Sequence, residues 1–220
     1  MIRATNINKN FNNEGIETHA LHNLNFSIEQ GECISITGPS GSGKSTLMNL
    51  LGLLDIPTSG ELEMWGQQAG QLSDKQRLAL RRGNIGYLYS DPYLINDLSI
   101  AENIALPLEY MNFSKKERAL KVNAVLEQFR LTHKKQFSPT QLSEEQKQVV
   151  SLARAMVITP RLIVADEPTG KLNSKDADTI LWWLDQINES GVTLIHATHS
   201  GTIASKCDRI IQLFDGHIVS

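Results

Sequence analysis

The segment that decides the fold is GPSGSGKS, residues 38–45, which matches the pattern G-x-x-x-x-G-K-[ST]. An apolar run, residues 33–37, precedes it, and a helix-forming run, residues 46–51, follows it. Glycines let backbone N–H groups curl around phosphate oxygens, and a helix N-terminus adds positive potential. A glycine-rich turn that matches by chance is the alternative. The flanking strand and helix favour a phosphate-binding loop, in which Lys44 bridges the β- and γ-phosphates of a nucleotide and Ser45 ligates magnesium.

A second segment, residues 161–168, has the form of a buried strand that ends in two acids, Asp166 and Glu167. Beside a phosphate-binding loop, an Asp at the carboxyl end of a strand suits magnesium binding. Glu167 is then placed to polarise the water that attacks the γ-phosphate. Asp-Glu at a strand end is also common in turns, so this prediction depends on the phosphate-binding loop.

Length and composition limit the possible classes of protein. The chain has 220 residues, of which 40% are hydrophobic, and a formal net charge of -3. It is long enough for one large domain or two small ones with a buried core. The charge does not favour nucleic acid as a partner, and no apolar run is long enough to span a bilayer. The N-terminus lacks the apolar core of a signal peptide, so we expect a cytoplasmic chain.

The two cysteines, Cys33 and Cys207, lie far apart in the sequence and show no metal-ligand spacing. Most cytoplasmic thiols are kept reduced. We therefore expect two reduced thiols that belong to the core.

Short β-rich runs alternate with helical patterns, which predicts a largely parallel sheet with helices packed on it. The strand candidates are residues 33–37, 85–89, 162–165, 192–198 and 210–214. The region between about Ser90 and Thr159 is mostly helical in pattern, and it is interpreted as an inserted helical subdomain.

Two helices have clear patterns. A capping box, Ser114-x-x-Glu117, starts the first, whose apolar face is predicted to carry Ala119, Val122, Leu126 and Phe129. The second is predicted from about Ser174 to Glu189, with a face made of Ala177, Ile180, Leu184 and Ile187. The adjacent Trp182 and Trp183 cannot both lie on that face, so we expect one at a boundary, at an interface or packed on the surface.

Four segments together resemble the nucleotide-binding subunit of an ABC transporter: GPSGSGKST (38–46), LS-x-x-Q (142–146), LIVADEPTG (162–170) and ATHS (197–200). The resemblance runs from about Ile2 to Val219. Further segments are similar to the lipoprotein-release, macrolide-export and cell-division branch of that family: LLGLLDIPTSGE (50–61), ALRRGNIGY (79–87), ENIALPLEY (102–110) and ADEPTG (165–170).

The resemblance implies an α/β fold with a P-loop NTPase (RecA-like) core, an antiparallel β subdomain and an inserted helical subdomain. We expect one ATP-binding domain over residues 1–220, with the core at about 1–89 and 160–220 and the helical subdomain at about 90–159. In this family two subunits close head to tail over two ATP molecules. The implied partner is an integral membrane transporter subunit, whose coupling element would face the segment from about Asp91 to Pro107.

The resemblance also implies roles for individual residues. Phe11 would stack on adenine, with core packing as the alternative. His199 would contact the γ-phosphate, with a structural role as the alternative. Lys44, Glu167 and His199 form the implied catalytic set, and Ser45 and Asp166 would hold Mg²⁺. The implied ATP-binding set is Phe11, Gly38, Pro39, Ser40, Gly41, Ser42, Gly43, Lys44, Ser45 and Thr46.

Four parts of the family pattern are altered in this chain. The family's signature, LSGGQ, is present as Leu142-Ser143-Glu144-Glu145-Gln146. The Gln that follows the strand at 85–89 is Ser90, the Asp that ends the loop G-N-L-D is Asn173, and the arginine usual after the signature is Val149.

The two acids of the altered signature have opposite effects on the helix and on a nucleotide. Ser143 can cap the helix, Gln146 can reach back to it, and Glu144 and Glu145 gain about 0.5–1 kcal/mol from the helix dipole. In the family this helix end faces the γ-phosphate held by the other subunit. A carboxylate about 6 Å from one phosphate charge costs roughly 3 kcal/mol at an effective dielectric near 20. The segment is therefore a good helix start and a poor signature.

Two functions follow as alternatives. The first is a subunit that binds Mg-ATP and couples its binding and hydrolysis to a separate membrane subunit, with weakened hydrolysis, as a homodimer or heterodimer at the inner face of the cell membrane. Intact Glu167 and His199 favour it. The second is a non-hydrolysing ATP-dependent regulatory or binding module of a membrane complex, which the alterations favour.

Two other classes fit the sequence less well. A soluble ABC-type ATPase that works on DNA or ribosomes would be expected to show a coiled-coil insertion, a basic patch or a second cassette. A P-loop kinase would not need the LS-x-x-Q helix or the ATHS segment. We therefore expect no nucleic-acid partner.

Overall fold

The computed structural model describes residues 1–13 and 16–219, in which strands and helices alternate along the chain. The strands are β1 (Ile2–Asn13), β2 (Ile16–Ile28), β3 (Cys33–Thr37), β4 (Ser59–Met64), β5 (Gln67–Gln68), β6 (Ile85–Tyr89), β7 (Leu162–Asp166), β8 (Thr193–Ala197), β9 (Arg209–Phe214) and β10 (His217–Ile218). The helices are α1 (Lys44–Leu51), α2 (Asp74–Arg81), α3 (Ile100–Glu109), α4 (Lys115–Gln128), α5 (Glu144–Met156), α6 (Ser174–Glu189) and α7 (Gly201–Ala204). Short 3-10 turns lie at Ala69–Gln71, Thr132–Lys134 and Pro139–Gln141.

The chain divides into two compact units, Met1–Arg81 with Asn188–Ser220, and Arg82–Ile187. In the first unit, β1 pairs antiparallel with both β2 and β4, and β4 pairs antiparallel with β5. These pairings confirm the antiparallel β part that the family resemblance implies. The sequence patterns alone did not predict β1, β2 or β4.

A parallel group of strands in the first unit carries the phosphate-binding loop. Strand β3 lies between β8 and β9, parallel to both, and β10 returns antiparallel to β9. Every residue of β8 is buried, and four of the five in β3 are buried. Apolar residues in unbroken runs are typical of parallel strands covered on both faces.

The second unit combines one parallel strand pair with helices. Strands β6 and β7 run in register from Ile85 opposite Leu162 to Tyr89 opposite Asp166. The helices α3, α4 and α5 each begin with a serine whose hydroxyl accepts from the third helical N–H and whose own N–H is bound in return. Such reciprocal caps satisfy two otherwise unpaired donors at a helix start.

Both clearly patterned helices are present within a residue or two of their predicted ends, as α4 and α6. The predicted face of α4 is only partly correct. Val122, Leu126 and Phe129 are buried, whereas Ala119 is exposed. The first turns of α4 therefore lie beyond the packed part of the helix, and periodicity alone does not locate where packing begins. Trp182 is exposed, and Trp183 packs on Phe129 with ring centroids 4.7 Å apart.

Helix α5 lies close against the strand pair at Gly86. A Cβ atom on Gly86 would stand 2.9 Å from the carbonyl oxygen of Ala155 in α5 and 2.6 Å from Cδ1 of Ile163 in β7. Any side chain at this position would separate the helix from the strands. The missing side chain of Gly86 therefore sets the distance between α5 and the strands that end at Tyr89 and Asp166.

The prediction of two reduced thiols is wrong in this structure. Cys33, at the start of β3, and Cys207, three residues after α7, form a disulfide with a Cα–Cα distance of 4.9 Å. Two hydrogen bonds also hold the chain next to Cys207 against Cys33. Cys33 N donates to Asp208 Oδ2 over 2.8 Å, and Asp208 N donates to Cys33 O over 3.0 Å. A separation of 174 residues in sequence concealed this proximity.

Helices long and apolar enough to cross a bilayer are absent from the ranges 1–13 and 16–219.

Candidate functional site

The loop between β3 and α1 has a conformation that only glycine can adopt at two positions. Gly38 has φ 148°, and a Cβ on it would stand 2.1 Å from the carbonyl oxygen of Leu213. Gly43 has φ 100°, and a Cβ there would stand 2.7 Å from the carbonyl oxygen of Ala20. Because both contacts are with backbone atoms, neither neighbour can turn aside. The two ends of the loop are thus held against neighbouring strands and turns of the first unit.

The predicted phosphate ligands lie inside this loop. Lys44 is buried, and its Nζ donates to the carbonyl oxygens of Gly38 and Pro39 over 2.8 and 2.9 Å. These bonds fix the ammonium group within the curve of the loop. Pro39, Ser40 and Gly41 lie in the loop itself. Ser45 and Thr46 lie in the first turn of α1, which follows the loop.

The N-terminus of α1 differs from those of the helices in the second unit. Gly43 precedes it, and among the described residues neither a side-chain cap nor an acid occupies its first turn. Its first N–H groups and their partial positive charge are therefore directed to the loop. Together with the curve of the loop and the Lys44 ammonium, this end fits a phosphate group.

His199 and the phosphate-binding loop lie at the same end of the parallel strands. Ile36 of β3 is in register with Ala197 of β8, and Thr198 N donates to Ile36 O over 3.1 Å. Because the strands are parallel, Gly38 and His199 both follow at their carboxyl ends. His199 is exposed, which leaves its ring accessible to a ligand.

Phe11 lies on β1, and its side chain is 37% exposed, so core packing is not its role. The Nζ atom of Lys9 stands over the ring, 5.0 Å from its centroid. Lys9 is held by Asp55 Oδ1 at 2.7 Å and by the carbonyl oxygen of Ile56 at 2.9 Å. Phe11 thus presents an aromatic surface at the edge of the first unit.

In the second unit, Ser90 and Glu167 lie side by side, because each directly follows the end of one of the paired strands β6 and β7. Tyr89 and Asp166 are opposite each other in the parallel pair, and the next residue of each strand is Ser90 or Glu167. The backbone of Glu167 lies in the left-handed region, at φ 49°, which costs of order 1 kcal/mol or more for a residue other than glycine. Such strain persists where neighbouring contacts hold the backbone.

The altered signature forms the helix start that the sequence predicts. Gln146 N donates to Ser143 Oγ, and Ser143 N donates to Gln146 Oε1, each over 3.2 Å. Glu144 is exposed and Glu145 is half-buried. Val149, where the family has an arginine, is buried. The acids therefore stand on a well-capped helix start.

Asn173 has a structural role that suits its amide. Asp176 N donates to Asn173 Oδ1 over 3.0 Å, and Asn173 Nδ2 donates to Asp176 Oδ2 over 2.8 Å, so Asn173 caps α6. An Asp at this position would place a second carboxylate against Asp176. The amide at 173 and the acid at 176 thus fit each other.

An ion pair joins the loops that follow β6 and β7. Lys171 Nζ lies 2.6 Å from Asp91 Oδ2. The hydrogen bond to Asp91 raises the pKa of Lys171, and the charge of Glu144 acts in the same direction. Lys171 therefore remains a cation, and it is stabilised in part by the negative charge of Glu144 in the altered signature.

Two residues for which the sequence predicted no role, Gln148 and Arg154, tie α5 to this region. Gln148 is buried, and its Nε2 donates to the carbonyl oxygens of Tyr89 and Pro168. Arg154 donates to the carbonyl oxygens of Pro92 and Tyr93 over 2.6 and 2.8 Å. The sequence offered one sign of a buried Gln148, because this polar residue is followed directly by the apolar residues 149–150.

Comparison with known proteins gives a consistent family. A model of the ABC transporter family matches residues 21–170. The uncharacterised ABC transporter ATP-binding protein YknY of Bacillus subtilis is 40% identical over 220 residues, which cover 100% of this chain and 95% of YknY. The lipoprotein-releasing system ATP-binding protein LolD 1 of Rhodopseudomonas palustris is 37% identical, with 99% and 98% covered.

A longer relative and a solved structure extend the comparison. The macrolide export ATP-binding/permease protein MacB of Chromobacterium violaceum is 41% identical over 203 residues, which span 92% of this chain and 32% of MacB. The ATP-binding cassette MJ0796, solved as a dimer in a post-hydrolysis state bound to ADP and Pi, superposes with a TM-score of 0.89 at 36% identity. That match covers 100% of this chain and 97% of MJ0796.

The family model covers more than half of the chain, and the relatives match it over nearly its whole length. The solved cassette has the same α/β P-loop fold. The chain therefore belongs to the ABC transporter family, as one of its ATP-binding ATPase subunits.

Proposed function

We propose that this subunit binds Mg-ATP and couples binding and slow hydrolysis to a separate membrane subunit. The observation that carries the proposal is the loop of residues 38–45, with its buried Lys44 ammonium and the uncapped end of α1. These groups offer several donors and a fixed positive charge to a nucleotide phosphate.

Each candidate residue has a proposed part in this reaction. Lys44 binds the β- and γ-phosphates, and Ser45 and Asp166 hold Mg²⁺, which neutralises charge on the phosphates. Glu167 accepts a proton from the attacking water. His199 contacts the γ-phosphate.

Adenine recognition and the loop backbone complete the proposed ATP site. Phe11 stacks on the adenine ring, because its exposed aromatic surface is available for that contact. The backbone N–H groups of residues 38–46 surround the phosphates, as the positive φ angles of three of the loop's glycines allow.

Slow hydrolysis follows from the altered positions. Two carboxylates, Glu144 and Glu145, occupy a helix start that in the family faces a γ-phosphate, and like charges repel. Ser90 has a short hydroxyl in place of a Gln side chain. A partner subunit with an intact signature would complete this chain's own nucleotide site, so a heterodimer would retain one competent site.

A second function is favoured by a specific observation. The contact of Asn173 with Asp176 and the ion pair of Lys171 with Asp91 are complete within the chain. A subunit that holds ATP without hydrolysing it, and so regulates a membrane complex, would retain the phosphate-binding loop and tolerate these alterations.

The proposed location is the cytoplasmic side of a cell membrane, on the inner face, bound to an integral membrane transporter subunit. The support is the family itself, whose relatives include a lipoprotein-releasing ATP-binding protein and an ATP-binding/permease protein. The dimeric state of MJ0796 supports a dimer of ATP-binding subunits.

Nucleotide binding is the first test. Equilibrium binding of ATP is measured for the parent chain, for Lys44→Ala and for Lys116→Ala, a matched control whose lysine is exposed on α4. We expect Lys44→Ala alone to lose affinity. Equal affinity of all three proteins for ATP, or no binding by the parent, would overturn the proposal.

Steady-state ATP turnover then separates the two functions. The parent is compared with Glu144→Gly/Glu145→Gly, and Glu167→Gln is the blank. Turnover by the glycine variant alone identifies the acids as the block. Parental turnover well above the blank shows that hydrolysis is not weakened. If ATP binds but neither protein turns over, the chain is the non-hydrolysing module.

A further inference from the structure

Gln148, in the second turn of α5, contacts the last residue of β6 and the loop that follows β7. We propose that it is a positioning residue, which holds the backbone just before Ser90 and just after Glu167 in one arrangement. Its role in the chemistry rests on the proposed hydrolysis, whereas its holding of the two loops does not.

The contacts of Gln148 are specific to the two strand ends. Its Nε2 donates over 2.6 Å to the carbonyl oxygen of Tyr89, the residue before Ser90. The same Nε2 donates over 2.7 Å to the carbonyl oxygen of Pro168, the residue after Glu167. Gln148 is 2% exposed, so its amide is shielded from water.

An amide is the group that this position requires. Both partners are carbonyl oxygens, which only accept, and a primary amide supplies two N–H donors from one atom. An ionised Glu of the same shape would supply none and would face two acceptors. A Leu of similar size would remove the donor that both carbonyls share in a buried place.

The strained backbone of Glu167 requires neighbouring contacts to keep its conformation. Its left-handed φ of 49° is strained for a residue with a side chain, and strain of this kind relaxes unless neighbouring contacts prevent it. Gly170 N, which donates to Glu167 O over 3.0 Å, and Gln148 on Pro168 O supply those contacts.

The helix that carries Gln148 is itself fixed. Gly86 allows α5 to lie against β6, with the carbonyl of Ala155 at the closest approach. Farther along α5, Arg154 binds the carbonyl oxygens of Pro92 and Tyr93. Gln148 therefore acts from a rigid support, and the helix that starts with Glu144 and Glu145 also holds the loops that carry Ser90 and Glu167.

Amide hydrogen exchange without nucleotide tests the holding role. The variants are Gln148→Glu and Gln148→Leu, and Gln128→Glu is the matched control, because Gln128 is exposed on α4. In the Gln148 variants we expect exchange about tenfold faster or more in both segments, 88–95 and 166–173, with no change in α4. The control should match the parent throughout.

Each other outcome overturns the inference. Unchanged exchange in the two segments means that Gln148 does not hold them, and faster exchange in only one means that it does not join them. An equal rise in α4 indicates general destabilisation. Thermal unfolding is checked first. Failure of both variants to fold would show that Gln148 serves folding of the unit rather than positioning.

ATP kinetics tests the catalytic role in the Glu144→Gly/Glu145→Gly background. We expect Gln148→Leu to lower kcat by roughly tenfold to a hundredfold and to leave KM for ATP unchanged, since the phosphate-binding loop is untouched. A raised KM with unchanged kcat would contradict it. If this background shows no turnover, the proposed hydrolysis fails, and hydrogen exchange still decides the holding role.

Discussion

Glu144 and Lys147 form an ion pair of 2.6 Å on the first turn of α5. The lysine offsets part of the charge of Glu144 and draws its carboxylate back along its own helix. Glu145, one residue on, has no ion pair in the portion of the chain that the structure describes. The two acids of the altered signature are therefore not equivalent toward a phosphate.

This difference predicts unequal effects of the two single variants on ATP turnover. Glu145→Gly should raise turnover several-fold more than Glu144→Gly, because it removes the uncompensated charge. Steady-state turnover is measured beside Glu144→Gln and Glu145→Gln, which keep the side-chain shape and remove the charge. If each Gln variant behaves like the parent while the Gly variants gain, bulk rather than charge obstructs the site.

Gly86→Ala should destabilise the chain by about 1–3 kcal/mol, because the new methyl group meets the carbonyl oxygen of Ala155. Gly70→Ala is the control, since a Cβ there meets nothing within 4 Å. It should change stability by at most about 1 kcal/mol. Chemical denaturation of the three proteins gives both values, and equal stability of Gly86→Ala and the parent would contradict the close approach of α5.

Burial lowers the pKa of His196, on β8, from 6.5 to about 4. Between these values the unfolded chain binds a proton that the folded chain does not, so acid favours unfolding. From this group alone, the free energy of unfolding should fall by about 3 kcal/mol as the pH drops from 6.5 to 4.

Urea denaturation across this pH range tests the expected loss. His196→Leu should show a shallower decline, while His133→Leu, at an exposed position, should follow the parent. The same slope in all three proteins would mean that other groups cause the decline.

The disulfide gives a prediction for protein purified without reductant and then denatured. Neither Cys33 nor Cys207 should react with an alkylating reagent until a reductant is added, because their Cα–Cα distance of 4.9 Å is within the range of about 4.4–6.8 Å for disulfides. Cys33→Ser should expose one reactive thiol without reduction. Alkylation of both cysteines in the parent before reduction would show that the bond is absent in solution.

Local signals in the sequence predicted those parts of the fold that depend on near neighbours. The capping boxes at Ser114 and Ser143 and the strand at 33–37 are settled within a few residues, and the structure contains them. The phosphate-binding loop was predictable for the same reason, since its glycines and Lys44 are adjacent in sequence.

Contacts between distant segments could not be predicted in this way. The Cys33–Cys207 bond joins residues 174 apart, and Gln148 reaches Tyr89 across 59 residues. Neither residue type signals its partner, because Cys and Gln are compatible with many environments. The length of β1 and β2 was also hidden, since their alternation is broken by register shifts.

Arg154 anchors the segment after Ser90 by hydrogen bonds to the main-chain oxygens of Pro92 and Tyr93. Every amino acid carries such an oxygen, so this anchorage does not depend on which side chains the segment displays. Tyr93 is 68% exposed, and its φ of 45° lies in the left-handed region, so Gly, Asn or Asp is expected to fit this position better than a β-branched residue. Arg154 therefore fixes the course of this segment through its main chain and leaves the exposed Tyr93 side chain outside the anchoring contact.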